Sequence, residues 1–215
     1  MATGFRQKKQ LAREMLSVYD KERIDKWLET EQSVFRILVS MLFDAEKVIC
    51  YRAAELLGKA AAIEAHRNPE NVKELLRRLL WSMNDESGNI CWYAPEAIGE
   101  ILYNVPDLCR EFCPLLASFL SEEPFEKGTR LAIARIACIK REIFHDVVGR
   151  LVESLQSKNP QIRGASLLAL VSVDPRIAAD MALSLENDND FFEVYEYETG
   201  NLGKIRISDF ARKIT

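Results

Sequence analysis

The sequence predicts an all-α solenoid of about four helix pairs, with a helical cap at its N-terminus and a β-hairpin at its C-terminus. Apolar residues recur at helical spacing through most of the 215 residues, and short polar turns separate the helices. The helix–turn–helix unit also repeats. Gly58, Gly99, Cys138 and Val171, placed in one column, give periods of 41, 39 and 33 residues, as expected for stacked helix pairs.

Length and composition favour a single domain. Hydrophobic residues make up 48% of the chain, which is enough for a continuous core. We expect one domain over 1–215, divided into a cap at 1–31, repeats at 32–186 and a hairpin tail at 187–215.

Charge and motif content exclude several classes of protein. The net charge of -4 lacks the basic surplus of a nucleic-acid binder. The cysteines form no CxxC pair, so no metal site is expected. No other cofactor is expected either. The segment MATGFRQKKQ lacks the apolar stretch of a signal peptide, and no apolar run approaches the roughly 18 residues that span a bilayer. We expect a cytoplasmic protein without a membrane partner.

The N-terminal cap and the first repeat differ in pattern. Residues 5–30 are helical but weakly repetitive, as expected for a terminal pair that covers one open face of a stack. The first repeat pairs the apolar run 34–42 with the second helix 49–61, which is rich in small residues. The repeats therefore begin near residue 32.

The second repeat opens on a strong helix-start signal. Asn68 can cap a helix whose first residue is Pro69. Trp81 lies off the apolar stripe of this helix, so we expect it on a surface or against a neighbouring element. The stripe steps by three and four residues through Val72, Leu75, Leu76, Leu79, Leu80 and Met83.

The third and fourth repeats resemble HEAT repeats of the phycobilisome-lyase-like type. Cys113-Pro114-Leu115-Leu116 stands where that family has a proline kink in its first helix, and Asn159-Pro160-Gln161-Ile162-Arg163 is similar to its Asp-Pro-x-Val-Arg turn. The resemblance covers about 32–175. It implies an arginine ladder through Arg130 and Arg163, from which the first half departs because Cys50 and Cys91 occupy that column.

The same alignment predicts a kink in the second helix of the second repeat. That helix should start near Asn89, which places Pro95 about one and a half turns inside it. Proline removes a helical hydrogen bond and clashes with the carbonyl four residues back, so we expect the helix to bend there.

The tail changes from helical to strand periodicity. FEVYEYE and KIRIS flank a Thr199-Gly200-Asn201 turn, which predicts a hairpin over 191–208. We expect Glu196 and Glu198 to pair with Lys204 and Arg206 across the strands, and a short closing helix over 209–214. The hairpin should cap the fourth repeat or pair with its copy in a homodimer, because an isolated hairpin is marginal in water.

The candidate binding region is WSMNDESGNICWYAPEAIGE, from Trp81 to Glu100, where two of the three tryptophans lie. Glu96 and Glu100 are one helical turn apart and could bind a cationic group, although a solvated acidic face would look the same. The region is similar to a motif of a bacterial HEAT-like family without an established function. The candidate residues are Trp81, Asn84, Asp85, Glu86, Trp92, Tyr93, Glu96 and Glu100.

These observations predict a non-catalytic protein-binding or scaffold module with a concave groove that is acidic and aromatic. No catalytic or metal-binding residue is assigned. The deoxyhypusine hydroxylases, which are HEAT-repeat enzymes with His-Glu dipeptides, are excluded because neither His66 nor His145 precedes glutamate. The resemblance to bilin lyases concerns the repeat alone and does not imply their activity.

An enzyme is the alternative. HEAT-like alkylpurine DNA glycosylases use a tryptophan and an aspartate four residues apart, the spacing of Trp81 and Asp85. The aspartate would act beside a base stacked on Trp81 and Trp92. The acidic balance opposes DNA binding, and Asp85 also fits an ordinary turn. A small-molecule enzyme that uses Trp81 and Asp85 is a further alternative.

Overall fold

Amphipathic helices and one antiparallel hairpin make up the structure, a computed structural model that describes residues 4–84 and 90–214. The chain divides into two units, Met1–Leu108 and Cys109–Thr215. The single solenoid domain over 1–215 stays a prediction. Within the described ranges, none of the helices combines the length and the apolar character needed to cross a membrane.

Unit 1 consists of three consecutive helix pairs. Its helices are α1 Phe5–Val18, α2 Lys21–Thr30, α3 Val34–Met41, α4 Lys47–Ala65, α5 Pro69–Met83 and α6 Ala94–Asn104, followed by a 3-10 turn at Pro106–Leu108. That these pairs are a cap and two repeats of a solenoid stays a prediction.

The second helices of these pairs pack closely on each other. α4 lies against both α3 and α6. A Cβ atom on Gly58 would lie 2.6 Å from the carbonyl oxygen of Glu100 and 2.6 Å from Nδ2 of Asn104. Only glycine fits at Gly58 without a shift of α6, because the backbone of α6 occupies the space that a side chain would need.

Helix α5 confirms the start and the stripe predicted for it. The Asn68 side chain accepts a hydrogen bond from the backbone N–H of Glu70 (3.2 Å), and Pro69 is the first helical residue. Leu80 is half-buried and the other stripe residues are buried. Trp81 lies off the stripe and is 76% exposed.

The predicted kink at Pro95 is wrong. α6 begins at Ala94, with Tyr93 at its N-cap, so Pro95 lies in the first turn of the helix. Backbone N–H groups in the first turn have no intrahelical acceptor, and a proline there removes no helical hydrogen bond. Pro95 therefore starts the helix instead of bending it.

Unit 2 continues with two helix pairs, a further helix and the hairpin. Pro114 lies inside α7 (Cys109–Ser118), as expected. The short helix α11 (Pro175–Ala182) was not predicted. The elements are α7 Cys109–Ser118, α8 Glu126–Lys140, α9 Val148–Glu153, α10 Pro160–Val173, α11 Pro175–Ala182, β1 Phe191–Glu196, β2 Asn201–Arg206 and α12 Ile207–Ala211.

The hairpin covers α10, the helix predicted to be the second of the fourth repeat. α8 packs against α10 on one side, and β1 also contacts α10. Phe192 is fully buried, and its ring fills the space beside Gly164 where a side chain would otherwise project. The closing helix forms as α12, two residues earlier than predicted.

The predicted cross-strand ion pairs are wrong, because the turn differs from the expected one. Glu196 pairs with Asn201, so residues 197–200 form the turn and Glu198 lies within it. Lys204 faces Glu193, whose carboxylate lies 3.6 Å from Nζ of Lys127 on α8. Arg206 faces Phe191 and lies over its ring, 5.1 Å from the centroid.

Candidate functional site

An open groove between α3 and α5, here called the α3–α5 groove, is the candidate binding site. Its volume is about 250 Å³. Its walls are apolar side chains, and two arginines stand among them. The lining residues are Phe35, Arg36, Val39, Phe43, Leu75, Arg78, Leu79, Trp81, Ser82 and Cys91.

The groove forms because α3 is apolar on more than one face. Ile37, Leu38 and Met41 are buried in the core. Phe35 and Val39 are four residues apart and therefore form a second stripe, which borders the groove together with Phe43 from the turn after α3. Leu75 and Leu79 on α5 supply the floor opposite this stripe.

Two aromatic side chains stand at the groove in contact with solvent. Trp81 is 76% exposed and Phe43 is 47% exposed. Aromatic side chains offer large contact areas and lose little conformational entropy on binding, so they are enriched at protein interfaces. The exposed rings give the groove the character of a binding surface.

The charged residues of the groove are arginines. The Arg36 guanidinium lies 4.3 Å from the centroid of the Phe5 ring, which supports it from α1. In residues 4–84 and 90–214, no carboxylate forms a salt bridge with Arg36 or Arg78. Among the described residues that line this groove there is no carboxylate, and their charge favours an anionic partner group.

Glu100 does not lie on a solvated face, so that expectation is wrong. It is only 4% exposed, and Oε1 of Glu100 is shielded from solvent, as is Oε2 of the half-buried Glu96. Asn104 Nδ2 donates a hydrogen bond to the carbonyl oxygen of Glu100 (2.8 Å). Close packing of α6 on α4, which Gly58 permits, places Glu100 inside the helix interface.

The remaining candidate residues do not converge on the groove. Trp92 is 65% exposed but does not line it. Tyr93 packs edge-to-face on Tyr51, with ring centroids 5.4 Å apart. Asn84 ends α5, and its Nδ2 donates to the carbonyl oxygen of Leu80 (3.2 Å). Of the candidates, Trp81 alone lines the α3–α5 groove, while Asp85 and Glu86 lie outside the described residues.

The sequence analysis missed Phe35, Arg36, Phe43 and Arg78. The signal that could have found Phe35 is its four-residue spacing from Val39 on a helix that already has a core stripe, since a surface helix needs only one apolar face. Phe43 lies in the turn after that helix. Nothing in the sequence shows that Arg36 and Arg78 come to one groove. Their proximity depends on how α3 packs against α5.

The thiol at the groove is not a nucleophile at neutral pH. Burial raises the pKa of Cys91 to about 12, and the nearby Glu96 carboxylate adds to the shift. Burial also raises the pKa of Cys50 to about 12. Thiolates rather than thiols attack substrates, so neither group supports covalent catalysis.

A second, polar pocket adjoins the groove through Phe35, Leu75 and Arg78. Its volume is about 410 Å³, and it carries carboxylates of Glu31, Glu64 and Glu74 as well as Arg67. Through residues 4–84 and 90–214, no three His, Cys, Asp or Glu side chains form a group that could hold a metal ion. The mixed charges of this polar pocket favour neither an anionic nor a cationic ligand.

Comparisons with known proteins support the fold and leave the chemistry open. No family model matches the chain. An uncharacterized protein of Archaeoglobus fulgidus is 29% identical over 164 residues, which cover 74% of this chain and 84% of that protein.

Two crystal structures of engineered proteins are similar in fold. One has a TM-score of 0.61 at 16% identity, with all of this chain and 91% of the other covered. The second has a TM-score of 0.54 at 16% identity, with 88% of this chain and 52% of the other covered. At this identity the likeness concerns the fold alone.

Proposed function

We propose that the protein is a non-catalytic, cytoplasmic protein-binding module of the HEAT-like solenoid type, and that the α3–α5 groove receives its partner. The observation that carries the proposal is the pair of arginines, Arg36 and Arg78, beside exposed aromatic rings and without a carboxylate partner in the described chain. Aromatic residues and arginines are the side chains that most often dominate binding energy at protein interfaces.

The size of the groove favours a partner's side chains over a cofactor. Small-molecule sites usually enclose about 300–1,000 Å³, whereas this groove is open and measures about 250 Å³. That space suits one or two large apolar side chains. We therefore propose a segment that inserts an apolar anchor between Phe43 and Trp81.

The charge of the groove selects the residues next to this anchor. A carboxylate beside the apolar side chain would reach Arg36 or Arg78, where two-point hydrogen bonds between guanidinium and carboxylate are available. Phe5 keeps the Arg36 guanidinium in position before the partner arrives, which lowers the entropic cost of binding. The proposed partner segment is thus apolar and acidic.

The test uses a fluorescein-labelled helical peptide with leucines along one face and glutamates beside them. We expect Trp81→Ala to weaken its binding at least about tenfold, the range for loss of an interface hot spot. Fluorescence anisotropy measures the affinity. Trp92→Ala is the matched control, because Trp92 is comparably exposed and lies outside the groove.

The charge preference is tested with the double variant Arg36→Glu/Arg78→Glu. It should lose the acidic peptide and gain affinity for the same peptide carrying lysines. Arg77→Glu is the control, because Arg77 is an exposed neighbour that lies 3.6 Å from Glu70 and does not line the groove. Equal binding by wild type, Trp81→Ala and the double variant would overturn the proposed function.

The enzyme alternative has its own readout. Excision of alkylated bases by a wild-type protein that does not bind the peptide, lost on Asp85→Asn with an unchanged circular dichroism spectrum, would replace the binding module by a DNA glycosylase.

A further inference from the structure

The two outer edges of the hairpin differ in whether the rest of unit 2 forms hydrogen bonds with them. The outer edge of β1 is satisfied by one side chain of α10. Gln161 Nε2 donates to the carbonyl oxygen of Phe191, and Gln161 Oε1 accepts from the backbone N–H of Glu193, both at 3.0 Å. The Gln161 amide thus takes the place of a neighbouring strand along β1.

The hydrogen bonds of Gln161 also show which backbone groups of β2 point outward. In an antiparallel pair, residues alternate between facing the partner strand and facing away from it. Phe191 and Glu193 face away, so their cross-strand partners Arg206 and Lys204 face away as well. The bond from Ile207 N–H to the carbonyl of Asp190 (2.9 Å) fits the same alternation.

The outer edge of β2 is open. Leu202 and Lys204 each direct an N–H and a carbonyl outward, and Arg206 directs its N–H outward while its carbonyl serves as the N-cap acceptor of α12. The sheet has two strands within the described residues. Lys204 and Arg206 are exposed. An edge of this kind is a template for an added strand.

We propose that the outer edge of β2 binds an extended, acidic segment of a partner protein as a third strand, independently of the α3–α5 groove. Main-chain hydrogen bonds to Leu202, Lys204 and Arg206 would hold the segment. Its carboxylates would lie beside Lys204 and Arg206, because side chains on adjacent strands meet directly across the pair. Glu193 already lies near Lys127, so it does not compete fully for Lys204.

The charges disfavour a second copy of this chain at the same edge. Outward-facing residues must pair with outward-facing residues, so two copies of β2 have two antiparallel registers of greatest overlap. One places Lys204 opposite Lys204 of the other copy, and the other places Lys204 opposite Leu202. Neither supplies a carboxylate, and like charges directly opposite each other are destabilising.

The probe for this edge is a fluorescein-labelled peptide of alternating glutamate and valine, measured by fluorescence anisotropy with the full chain. Lys204→Pro removes the outward N–H and leaves the inward-facing groups of Gly203 and Ile205 in place, as proline in edge strands allows. We expect this variant to bind at least about tenfold more weakly, with an unchanged far-ultraviolet circular dichroism spectrum. The exposed control Lys158→Glu should bind within about twofold of wild type.

A peptide methylated on alternate backbone nitrogens separates strand pairing from charge attraction. It keeps every carboxylate but loses the donors along one edge, and we expect it to bind at least about tenfold more weakly. Equal binding of the methylated and plain peptides would overturn the proposal, as would full binding by folded Lys204→Pro. A concentration-dependent dimer in sedimentation that Lys204→Pro abolishes would also overturn the proposal, in favour of a second copy at this edge.

If Lys204→Pro unfolds, the double variant Lys204→Glu/Arg206→Glu takes its place in the binding test. Full binding of the acidic peptide by this double variant would contradict the proposal.

Discussion

Units 1 and 2 place different chemistry at the same position near the start of their second helices. Unit 2 has guanidinium groups there, Arg130 in α8 and Arg163 in α10. In unit 1 the corresponding residue of α4 is Cys50, a buried thiol. The comparison shows two ways of holding the turn that precedes a packed helix.

In unit 2 the arginine holds the turn from within its own helix pair. Arg130 is 3% exposed and donates to the carbonyl oxygens of Leu120 (2.7 Å) and Glu126 (2.8 Å). It also donates to the hydroxyl groups of Ser154 (2.6 Å) and Ser166 (2.8 Å), which lie in the next pair. Burial lowers its pKa to about 10, so it stays charged at neutral pH. Arg163 similarly donates to the carbonyl oxygens of Ser157 (2.8 Å) and Lys158 (3.2 Å) in the turn before α10.

In unit 1 the turn is held from outside the pair. Cys50 Sγ donates only a weak hydrogen bond to the carbonyl of Asp44 (3.4 Å). The Asp44 carboxylate instead accepts two hydrogen bonds from Arg13 of α1, at 2.7 and 3.1 Å. The N-terminal helix thus supplies the guanidinium that α4 lacks. The turn before α4 should therefore depend less on a buried charge of its own helix pair than the turn before α8 does.

The largest expected effect is the loss of Arg130. Arg130→Met leaves several buried carbonyl and hydroxyl groups without their donor, so we expect the free energy of unfolding to fall by about 3 kcal/mol. Urea denaturation measures it. Arg150→Met is the control, since Arg150 makes longer, partly exposed hydrogen bonds to the Ala117 carbonyl and Ser121, and it should lose less than about 1 kcal/mol. Equal losses would contradict the central role of Arg130.

A smaller effect is expected at the two glycine contacts, one in each unit. Alanine gains about 1 kcal/mol of helix propensity over glycine but overpacks each contact at a cost of about 1–3 kcal/mol. We expect Gly58→Ala and Gly164→Ala each to lower the free energy of unfolding by up to about 2 kcal/mol. Thermal unfolding followed by circular dichroism measures the loss.

The two glycines should differ in whether the loss can be rescued. The neighbour of Gly164 is the Phe192 side chain, so Phe192→Leu should recover part of the loss in a double-mutant cycle. The neighbour of Gly58 includes the Glu100 carbonyl, so Asn104→Ala should recover little. The reverse result would show that α6 shifts to accommodate the added methyl group more easily than the hairpin does.

The smallest effect is expected at Asp44, and it depends on pH. Burial raises the pKa of Asp44, but hydrogen bonds from Arg13 and from the Glu46 backbone outweigh it, and the net pKa lies below its usual value. A lowered carboxyl pKa stabilises the fold above the unfolded value near 4, and this stabilisation is lost as pH falls through the folded value. Asp44→Asn should therefore lower the melting temperature by a few degrees at neutral pH, with the difference shrinking at about pH 3.

Asp25→Asn is the control for this pH dependence, because Asp25 is an exposed acid on α2 of the same unit. It should leave the melting temperature unchanged at both pH values. A difference between Asp44→Asn and wild type that persists undiminished in acid would show that the Arg13 contact does not depend on the carboxylate charge.

The helices of both units follow from local patterns in the sequence. The Asn68-Pro69 and Asn159-Pro160 signals start α5 and α10 as expected, because a cap and a first-turn proline act within a few residues. The start of α6 was misplaced by alignment to a repeat pattern, which put Pro95 in mid-helix. The cap at Tyr93 has no strong sequence signal.

The candidate site was harder to predict, because its residues meet through packing between helices. Arg36 and Arg78 are far apart in sequence and share a groove only once α3 and α5 are placed. From the sequence, Glu100 is expected on the surface, since charged residues are rarely buried. In the structure, the small Gly58 on α4 allows α6 to cover it. Long-range contacts of this kind leave no periodic trace in the chain.

Asp174 joins α10 and α11 without an intervening loop. Its backbone N–H donates to the carbonyl of Leu170 (2.8 Å) and so ends α10, while its carboxylate accepts from the N–H groups of Arg176 (3.1 Å) and Ile177 (3.2 Å) and so begins α11. Nicking and insertion occur preferentially at exposed loop tips, and this corner has none. Proteases therefore find no extended segment there, and an inserted residue would have to break the end of one helix or the start of the other.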